Sequence, residues 1–367
     1  MEKKRKKAKY GMGLVLVVFF LLFIPGHYNI LQVDAAEQTA KVPAQDTEIT
    51  LGFAGDMNLD ENWATTKYLD QQPNGIADCF SPNLMQQMQE FDIFMLNNEF
   101  TYSKRGKALK NKQYTFRADP ARVGNLQAMG VDIVLLANNH VYDYGKNAFL
   151  DTLQTLQDAG IHYVGAGKNI AEASEPYYFI CKGKKIAYVA ASEAEKFKMT
   201  PQATKTMPGI LRCYDTSMFL AEIAEADAQA DYVIANVHWG TEYDNMASKE
   251  QREFAREMID AGADAVIGTH PHVLQGMEFY QGKPIIYSLG NFWFNDKDLY
   301  SGMLALTLTV PEDGSNISLK TTRFVPCLQY DLITTEPTDA AQRQEIIDFE
   351  QKISYGVTID ADGIVME

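Results

Sequence analysis

The sequence predicts an α/β fold in which helices cover a mostly parallel β-sheet. Short apolar runs alternate with amphipathic stretches along most of the chain, and glycines follow several of those stretches. Short apolar runs are typical of buried strands, and apolar residues at helical spacing are typical of helices that pack on one face. Regular alternation of the two predicts helical layers on a parallel sheet.

Six apolar runs predict the buried strands, and five amphipathic stretches predict the helices between them. The predicted strands are residues 49–54, 93–96, 131–137, 232–237, 265–267 and 284–289. The predicted helices are residues 81–91, 121–129, 147–159, 216–228 and 249–261. Gly130, Gly160 and Gly262 stand where three helical patterns end, and glycine commonly ends helices because it adopts left-handed backbone conformations.

Two hairpins add antiparallel strands to this core. Residues 177–180 and 185–191 flank a turn that contains glycine, and residues 304–310 and 318–324 flank a turn at Asp313 and Gly314. Antiparallel strands on a parallel core indicate a mixed sheet or a two-sheet sandwich. A further helix is predicted over residues 339–353.

The first residues carry an export signal. A basic cluster precedes an apolar run over residues 11–25, which is somewhat shorter than a comfortable membrane span of roughly 20 residues. Val33 and Ala35 fit the small-residue rule for signal cleavage, so a cleaved signal and an uncleaved anchor both remain open. The basic residues predict a cytoplasmic N-terminus and an extracytoplasmic body.

These features divide the chain into four predicted parts. Residues 1–37 form a signal peptide or membrane anchor, and residues 38–48 form a linker. Residues 49–330 form the main domain, and residues 331–367 form a C-terminal helix and tail.

The charge of the chain excludes nucleic acid as a partner. The formal net charge is −15, and the basic N-terminal cluster makes the remainder still more acidic. Nucleic-acid binding needs a basic surface instead. The cysteines Cys79, Cys181, Cys213 and Cys327 are widely spaced, so both disulfides and buried free thiols are open.

Polar residues that can bind metal or transfer protons follow almost every predicted strand. Because α/β sheets place their sites at the carboxyl ends of strands, these residues are expected to meet at one site. The candidate metal ligands are Asp56, Glu99, Asn139, His238, His270 and His272. Read singly, His238 also fits a packed histidine and Asp56 a turn or helix cap; read together, the residues favour a site.

Imidazole nitrogens combined with carboxylate oxygens suit one or two divalent ions such as manganese, iron or zinc. In an extended backbone, His270 and His272 would point to the same side. Asp56 and Glu99 would supply negative charge, and one carboxylate could bridge two ions. His140 is the expected proton donor, and Asn139 offers a neutral oxygen ligand.

Several residues near the same strand ends are candidate substrate contacts. A stretch without acids over residues 100–118 carries six cations, which favours either attraction of a polyanion or a solvated basic loop. Aromatic residues flank the strand ends as in ligand clefts and as in core rims. The candidate contacts are Asn58, Lys104, Arg105, Lys107, Tyr142, Asp143, Trp239, Glu242 and Asn291.

Six ordered motifs between residues 49 and 310 resemble those of the CapA family, which is associated with poly-γ-glutamate capsule biosynthesis. They are Gly55-Asp56, Asn98-Glu99, Ala137-Asn138-Asn139-His140 with Asp143-Tyr144-Gly145, His238-Trp239-Gly240-Thr241-Glu242-Tyr243, Gly268-Thr269-His270-Pro271-His272 and Tyr287-Ser288-Leu289-Gly290-Asn291-Phe292.

The CapA family is in turn similar to the calcineurin-like metallophosphoesterases. That resemblance implies a two-sheet sandwich flanked by helices, with a two-metal centre in which the six candidate ligands bind metal and His140 is the general acid. The match departs where those enzymes carry Asp-x-His, since this chain has Asp56-Met57-Asn58, and where they carry Gly-Asp, since it has Asn97-Asn98-Glu99.

The resemblance leaves three functions open. The first is a membrane-tethered, metal-dependent hydrolase in the synthesis or export of poly-γ-glutamate. The second is a non-catalytic subunit that binds the polymer beside membrane-embedded synthase components. The third is a secreted metal-dependent phosphoesterase, released by cleavage near Ala35.

Overall fold

Two β-sheets lie face to face, and helices pack around them. The computed structural model describes residues 47–194 and 199–367. Its strands are β1 (Thr47–Met57), β2 (Ile93–Asn98), β3 (Thr101–Tyr102), β4 (Arg117–Ala118), β5 (Ile133–Leu135), β6 (His162–Val164), β7 (Ala166–Gly167), β8 (Tyr177–Cys181), β9 (Lys184–Ser192), β10 (Gly209–Ile210), β11 (Tyr232–His238), β12 (Ala265–Thr269), β13 (Leu274–Tyr280), β14 (Lys283–Leu289), β15 (Asn291–Trp293), β16 (Leu299–Val310), β17 (Ser318–Tyr330), β18 (Ile333–Thr335), β19 (Thr358–Ile359) and β20 (Ile364–Met366).

The α-helices agree with the amphipathic stretches of the sequence. Those of the described residues are α1 (Ala64–Leu69), α2 (Pro82–Glu90), α3 (Val123–Ala128), α4 (Gly145–Asp158), α5 (Ile170–Ser174), α6 (Ser217–Asp227), α7 (Lys249–Asp260) and α8 (Ala340–Ile353). Six of them, α2, α3, α4, α6, α7 and α8, lie where the sequence predicts helices, whereas α1 and α5 were not predicted.

The first sheet has the strand order β19-β20-β17-β16-β1-β2-β5-β6, with β15 paired to β1 and β18 paired to β17. Strands β1, β2, β5 and β6 are parallel, whereas β16 and β17 are antiparallel. The predicted hairpin over residues 304–324 is therefore confirmed as β16 and β17.

The second sheet has the order β13-β14-β12-β11-β9-β8. Its four inner strands are parallel, and the outer strands β8 and β13 are antiparallel to their neighbours. The hairpin predicted over residues 177–191 is β8 and β9. The expectation of a two-sheet sandwich flanked by helices is confirmed.

A large apolar core joins the two sheets. Phe53 of β1 and Tyr188 of β9 are buried, and their ring centroids lie 6.3 Å apart. A second core lies between the second sheet and helices α6 and α7, where Phe219 and Phe254 pack at 6.3 Å. The second sheet thus buries both faces, which explains why its central strands are continuous apolar runs.

The start and end of α7 follow from local sequence. The Ser248 hydroxyl accepts a hydrogen bond from Gln251 N, and the Gln251 side chain accepts one from Ser248 N, which together form a capping box. Beyond the helix, Gly262 has φ 118°, a conformation that favours glycine. The glycine predicted to end this helix does so.

The C-terminal residues belong to the first sheet and to the helix predicted there. Helix α8 begins after Asp339, whose carboxylate accepts from Gln342 N at 2.8 Å, and it packs against β13 and β17. Strand β20 pairs with β17. The boundary proposed near residue 330 stays a prediction.

The predicted signal or anchor and most of the predicted linker lie outside the described residues. Strand β1 already begins at Thr47, slightly ahead of the predicted Ile49. None of the helices that the described residues form combines the length and apolar character needed to cross a bilayer. All four cysteines are buried free thiols.

The end of β1 reaches the functional residues through a close backbone contact. Asp56 N donates to Gly290 O at 2.9 Å, and Asp56 stands opposite Asn291 of β15. A Cβ atom at position 55 would lie 1.8 Å from Gly290 O, so only glycine allows this approach.

Replacement of Gly55 by alanine should lower the free energy of unfolding by about 1–3 kcal/mol, because the methyl group meets rigid backbone. Urea denaturation measures this change. Gly124→Ala is the control, since the nearest atom to its added Cβ is 4.0 Å away and alanine favours a helix by up to about 1 kcal/mol. Equal effects of the two substitutions would contradict the close contact.

Candidate metal centre

The candidate site lies where the carboxyl ends of strands from both sheets meet. Asp56 is near the end of β1, and Glu99 follows β2 in the first sheet. His238 ends β11, and His270 follows β12 in the second sheet. All four side chains are buried. The strand ends of the two sheets bring these residues together, and their role as metal ligands stays a prediction.

Glu99 is the centre of the arrangement. Its Oε1 atom lies 3.7 Å from His238 Nε2, 3.8 Å from His272 Nε2 and 3.9 Å from His140 Nε2. Among the described residues Oε1 has no hydrogen-bond partner, although it is buried. A buried carboxylate oxygen that faces several ring nitrogens without a hydrogen bond is suited to a cation.

Two overlapping groups of potential ligands share Glu99. Glu99, His238 and His270 form one, and Asp56, Glu99 and His272 form the other, with the ligand atoms of each within 4.8 Å of one another. His270 Nδ1 is also buried without a hydrogen-bond partner in the described part of the chain. The donor set of carboxylates and imidazoles is compatible with a divalent metal site, and Glu99 is the residue that the two groups share.

Hydrogen bonds fix the orientation of the two acids. The side-chain amide of Asn97 donates to Asp56 Oδ1 at 2.7 Å and to Glu99 Oε2 at 2.9 Å. The bond to Glu99 leaves its other oxygen, Oε1, facing the histidines. Asn97 therefore presents both acids to the centre.

The histidine rings are fixed in the same way. His272 Nδ1 lies 2.9 Å from Asn291 Oδ1, and His238 Nδ1 lies 3.0 Å from Thr269 Oγ1. In both rings Nε2 is the atom that faces Glu99. Partners of this kind set the ring orientation and the basicity of metal-binding histidines.

The backbone at the two histidines departs from the extended form expected from sequence. His270 has φ 101° and His272 has φ 60°. Residues other than glycine rarely adopt such positive φ values. The rings come within 6.0 Å of each other, but they belong to different ligand groups. The extended backbone that the expectation assumed is absent, but both rings lie at the candidate site, in two groups that share Glu99.

His140 has a carboxylate partner that holds its ring. Asp143 Oδ2 lies 2.7 Å from His140 Nδ1 and accepts from Phe116 N at 2.8 Å. The other carboxylate oxygen of Asp143 lies 2.8 Å from Lys112 Nζ. With Nδ1 held by Asp143, the Nε2 atom of His140 faces the centre.

Burial decides the charge state of the centre without metal. Burial raises the pKa of Glu99 well above its usual range, and the nearby Asp56 carboxylate raises it further. Burial lowers the pKa of His270 to about 3, and the neighbouring His272 adds to this effect. The His238 pKa is lowered for the same reasons, burial first and His270 second. Neutral imidazoles are the form that binds metal.

Asp56 behaves differently from Glu99. Although burial raises the pKa of Asp56, the hydrogen bond and charge of His272, the hydrogen bond from Asn97 and the charge of His270 together hold the pKa below its usual value. Asp56 is thus the ionised acid of the pair. A divalent cation would favour the ionised form of Glu99 as well.

Residues 50–296 match the family model described as bacterial capsule synthesis protein PGA_cap. The chain belongs to this family. The capsule biosynthesis protein CapA of Bacillus anthracis is 31% identical over 310 residues, which cover 80% of this chain and 71% of the relative. The PGA biosynthesis protein CapA of Bacillus subtilis is 31% identical over 296 residues, with coverage of 80% and 74%.

A more distant relative and a solved structure also match this PGA_cap chain. A probable polyglutamine synthesis accessory protein of Mycobacterium tuberculosis is 29% identical, covering 62% of this chain and 64% of its own. A phosphatase structure from Mycoplasma pneumoniae matches with a TM-score of 0.46 and 13% identity, covering 77% of this chain and 94% of that chain.

Three predicted substrate contacts of the PGA_cap chain are corrected. Trp239 is 0% exposed in the second core, and its indole donates to Tyr287 O at 3.0 Å. Asn291 is buried against His272, and Asp143 is buried against His140. All three are fully buried and contact other residues of the protein.

The remaining candidate contacts have varied surroundings. Lys104 and Arg105 are exposed but paired with Asp119 and Asp151. Asn58 is buried near the end of β1, with its side-chain oxygen accepting from Asp60 N. Lys107, Tyr142 and Glu242 are exposed or half-buried. Their contact with substrate stays a prediction.

Sequence reasoning missed the supporting residues Asn97, Thr269 and Lys112. Thr269 directly precedes His270 in the sequence, and Asn97 lies two residues before Glu99. This closeness to predicted ligands was the available signal. Lys112 was read as one of the six cations of the basic stretch, whereas only 4% of its side chain is exposed. Its inward position depends on the loop fold, which residue spacing does not reveal.

Glu99→Gln should abolish binding at both ion positions, because Glu99 belongs to both groups. Metal content by mass spectrometry after reconstitution with manganese measures this. His270→Ala and His272→Ala are matched comparisons that should each weaken mainly one position. In the metal-free protein, Glu99→Gln should leave the melting temperature unchanged or higher, since it removes a buried acid. Full metal content in Glu99→Gln would contradict the shared ligand.

Proposed function

We propose that this PGA_cap protein is a metal-dependent hydrolase that acts on an anionic polymer in poly-γ-glutamate capsule synthesis. The role in capsule synthesis rests on the family and on the CapA relatives. The proposed metal-dependent hydrolase activity rests on one observation. The buried Glu99 Oε1 atom faces three imidazole Nε2 atoms and has no hydrogen-bond partner among the described residues.

The metal ligands of this proposal are Asp56, Glu99, Asn139, His238, His270 and His272. Asn139 joins the set because its side-chain oxygen lies 2.9 Å from His238 Nε2. When bound, divalent ions polarise a carbonyl or phosphoryl oxygen and lower the pKa of water. Manganese, iron and zinc suit these donors.

His140 is the proton donor of the proposed reaction. Its Nδ1 is held by Asp143, which leaves Nε2 directed into the centre, 3.9 Å from Glu99 Oε1. In the imidazolium form, Nε2 would protonate the departing nitrogen or oxygen as water adds to the scissile carbonyl or phosphoryl centre and the scissile bond breaks. Burial lowers the pKa of His140, and the charge of Asp143 opposes this effect. Asp143 keeps the ring oriented and offsets its positive charge.

A cluster of cations outside the candidate metal centre supports an anionic substrate. Arg105, Lys146 and Lys168 line a cavity of about 460 Å³ together with a single carboxylate, Asp151. The loop that carries Arg105 contacts the residues that follow His140, since Leu109 N donates to Asp143 O at 2.8 Å. In a chain of net charge −15, such a cavity attracts polyanions locally.

The same cavity favours a second candidate function, a non-catalytic subunit that holds polymer for membrane-embedded synthase components. Such a subunit needs the cations but not proton transfer by His140. The two functions therefore make different demands on two groups of residues.

The proposed location is the outer face of the cell membrane. The basic residues before the apolar run over residues 11–25 support a single-pass anchor with the body outside. Release after cleavage near Ala35 is the alternative. Immunoblotting of membrane and medium fractions separates the two.

His140→Asn should reduce turnover about 10²–10⁴-fold, because the leaving group loses its proton donor, while metal content stays at the wild-type level. The assay follows fragment release from poly-γ-glutamate in parallel with hydrolysis of a generic phosphoester. Phosphoester turnover alone would indicate an ordinary phosphoesterase. Normal capsule formation by this variant in a Bacillus subtilis strain without its own CapA would favour the non-catalytic subunit.

Combined Lys146→Glu and Lys168→Glu should weaken binding of poly-γ-glutamate about tenfold at low salt, since two attractive charges become repulsive. The difference should shrink at high ionic strength. Isothermal titration calorimetry measures both. Lys67→Glu with Lys249→Glu is the control, because it changes net charge equally at exposed positions that do not line this cavity. Equal weakening by both pairs would contradict a local site.

A further inference from the structure

One lysine of the basic stretch lies inside the protein. Lys112 has a side chain that is 4% exposed, whereas that of Lys104 in the same stretch is 72% exposed. A buried ammonium group is costly unless it has a charged partner and hydrogen-bond acceptors. Lys112 has both: its Nζ lies 2.8 Å from Asp143 Oδ1 and donates to Asn139 O.

The local backbone explains how Lys112 reaches this position. Asn111 adopts φ 63° in a turn directly before it. Asparagine tolerates this left-handed conformation better than most residues do. The turn changes the direction of the loop between exposed Lys110 and buried Lys112.

The two acceptors of Lys112 belong to residues on either side of the proposed chemistry. Asn139 is a proposed ligand, and its side-chain oxygen lies 2.9 Å from His238 Nε2. Its backbone oxygen, which Lys112 contacts, also accepts from Thr200 Oγ1 at 2.7 Å. Asp143 holds His140 Nδ1 through one oxygen and Lys112 through the other.

We propose that Lys112 is a positioning residue that fixes Asn139 beside His238 and holds Asp143 against His140. The inference rests on the proposed metal-dependent function. Its ammonium group donates a hydrogen bond to the backbone carbonyl of Asn139 and forms an ion pair with the buried carboxylate of Asp143, so one group contacts both segments. Because Asn139 and His140 are consecutive, a shift of this backbone segment would move a ligand and the proton donor at once.

The test compares metal binding by wild type, Lys112→Met and Lys112→Gln, with Lys110→Met as a control on the exposed part of the same loop. Manganese titration by calorimetry resolves the two ion positions. In Lys112→Met, the position that includes His238 and Asn139 should bind about 10–100-fold more weakly. The position with Asp56 and His272 should keep its affinity. The manganese affinity of Lys112→Gln at this position should lie between those of Lys112→Met and wild type, because the glutamine amide can donate to one of the two oxygens.

The same substitution in an Asn139→Ala protein distinguishes a positioning role of Lys112 from a general loss of stability. If Lys112 acts through Asn139, Lys112→Met should have little further effect on affinity in an Asn139→Ala protein. Additive effects in the double variant, or equal weakening of both positions, would overturn the inference while the metal centre stands. Lys112→Gln carries the same comparison if Lys112→Met does not fold.

The outcomes also separate this inference from the proposed function. Two bound ions in wild type and unchanged affinities in Lys112→Met would overturn the role of Lys112 alone. Absence of metal from wild type after reconstitution would overturn the proposed function and this inference with it.

Discussion

The burial of Glu99 is the constraint on which the arrangement of the site depends. Its Oε1 atom is buried and faces three imidazole nitrogens, and no side chain or backbone group of the described residues donates a hydrogen bond to it. A buried acid without a partner costs stability, typically about 1–3 kcal/mol or more. The surrounding residues lower this cost only in part, since Asn97 satisfies the other oxygen. A cation at the centre would offset the remainder.

The two-sheet architecture is what allows so many polar groups to meet. Each sheet delivers strand ends to the same place, so acids from the first sheet meet histidines from the second. Close approach is possible because glycine occupies the crowded points. At Gly268, for example, a Cβ would lie 2.0 Å from Tyr287 O and 2.5 Å from the Trp239 indole nitrogen. The buried Trp239 indole bonds to the backbone oxygen of Tyr287, and the buried Asn291 side chain contacts the His272 ring.

Much of the fold, and the gathering of polar residues at the candidate site, could be predicted from sequence. Strand positions follow from apolar runs, and the site follows from polar residues at strand ends, because both depend on local pattern. The orientation of His270 and His272 could not be predicted, since their positive φ values arise from the loop between β12 and β13. The contacts of Asn97, Asp143 and Lys112 also depend on how separate segments pack. Residue type alone made Asp143 and Trp239 resemble surface contacts.

In the proposed function, the metal centre would cleave the bond and a separate cationic cavity would bind the polymer. The central claim is that Glu99 bridges two divalent ions. Anomalous X-ray diffraction from crystals reconstituted with manganese tests it most directly. The account predicts two anomalous peaks roughly 3.5–4 Å apart, one beside His238 and His270 and one beside Asp56 and His272. No peak at Glu99, with the imidazoles hydrogen-bonded to solvent, would contradict it.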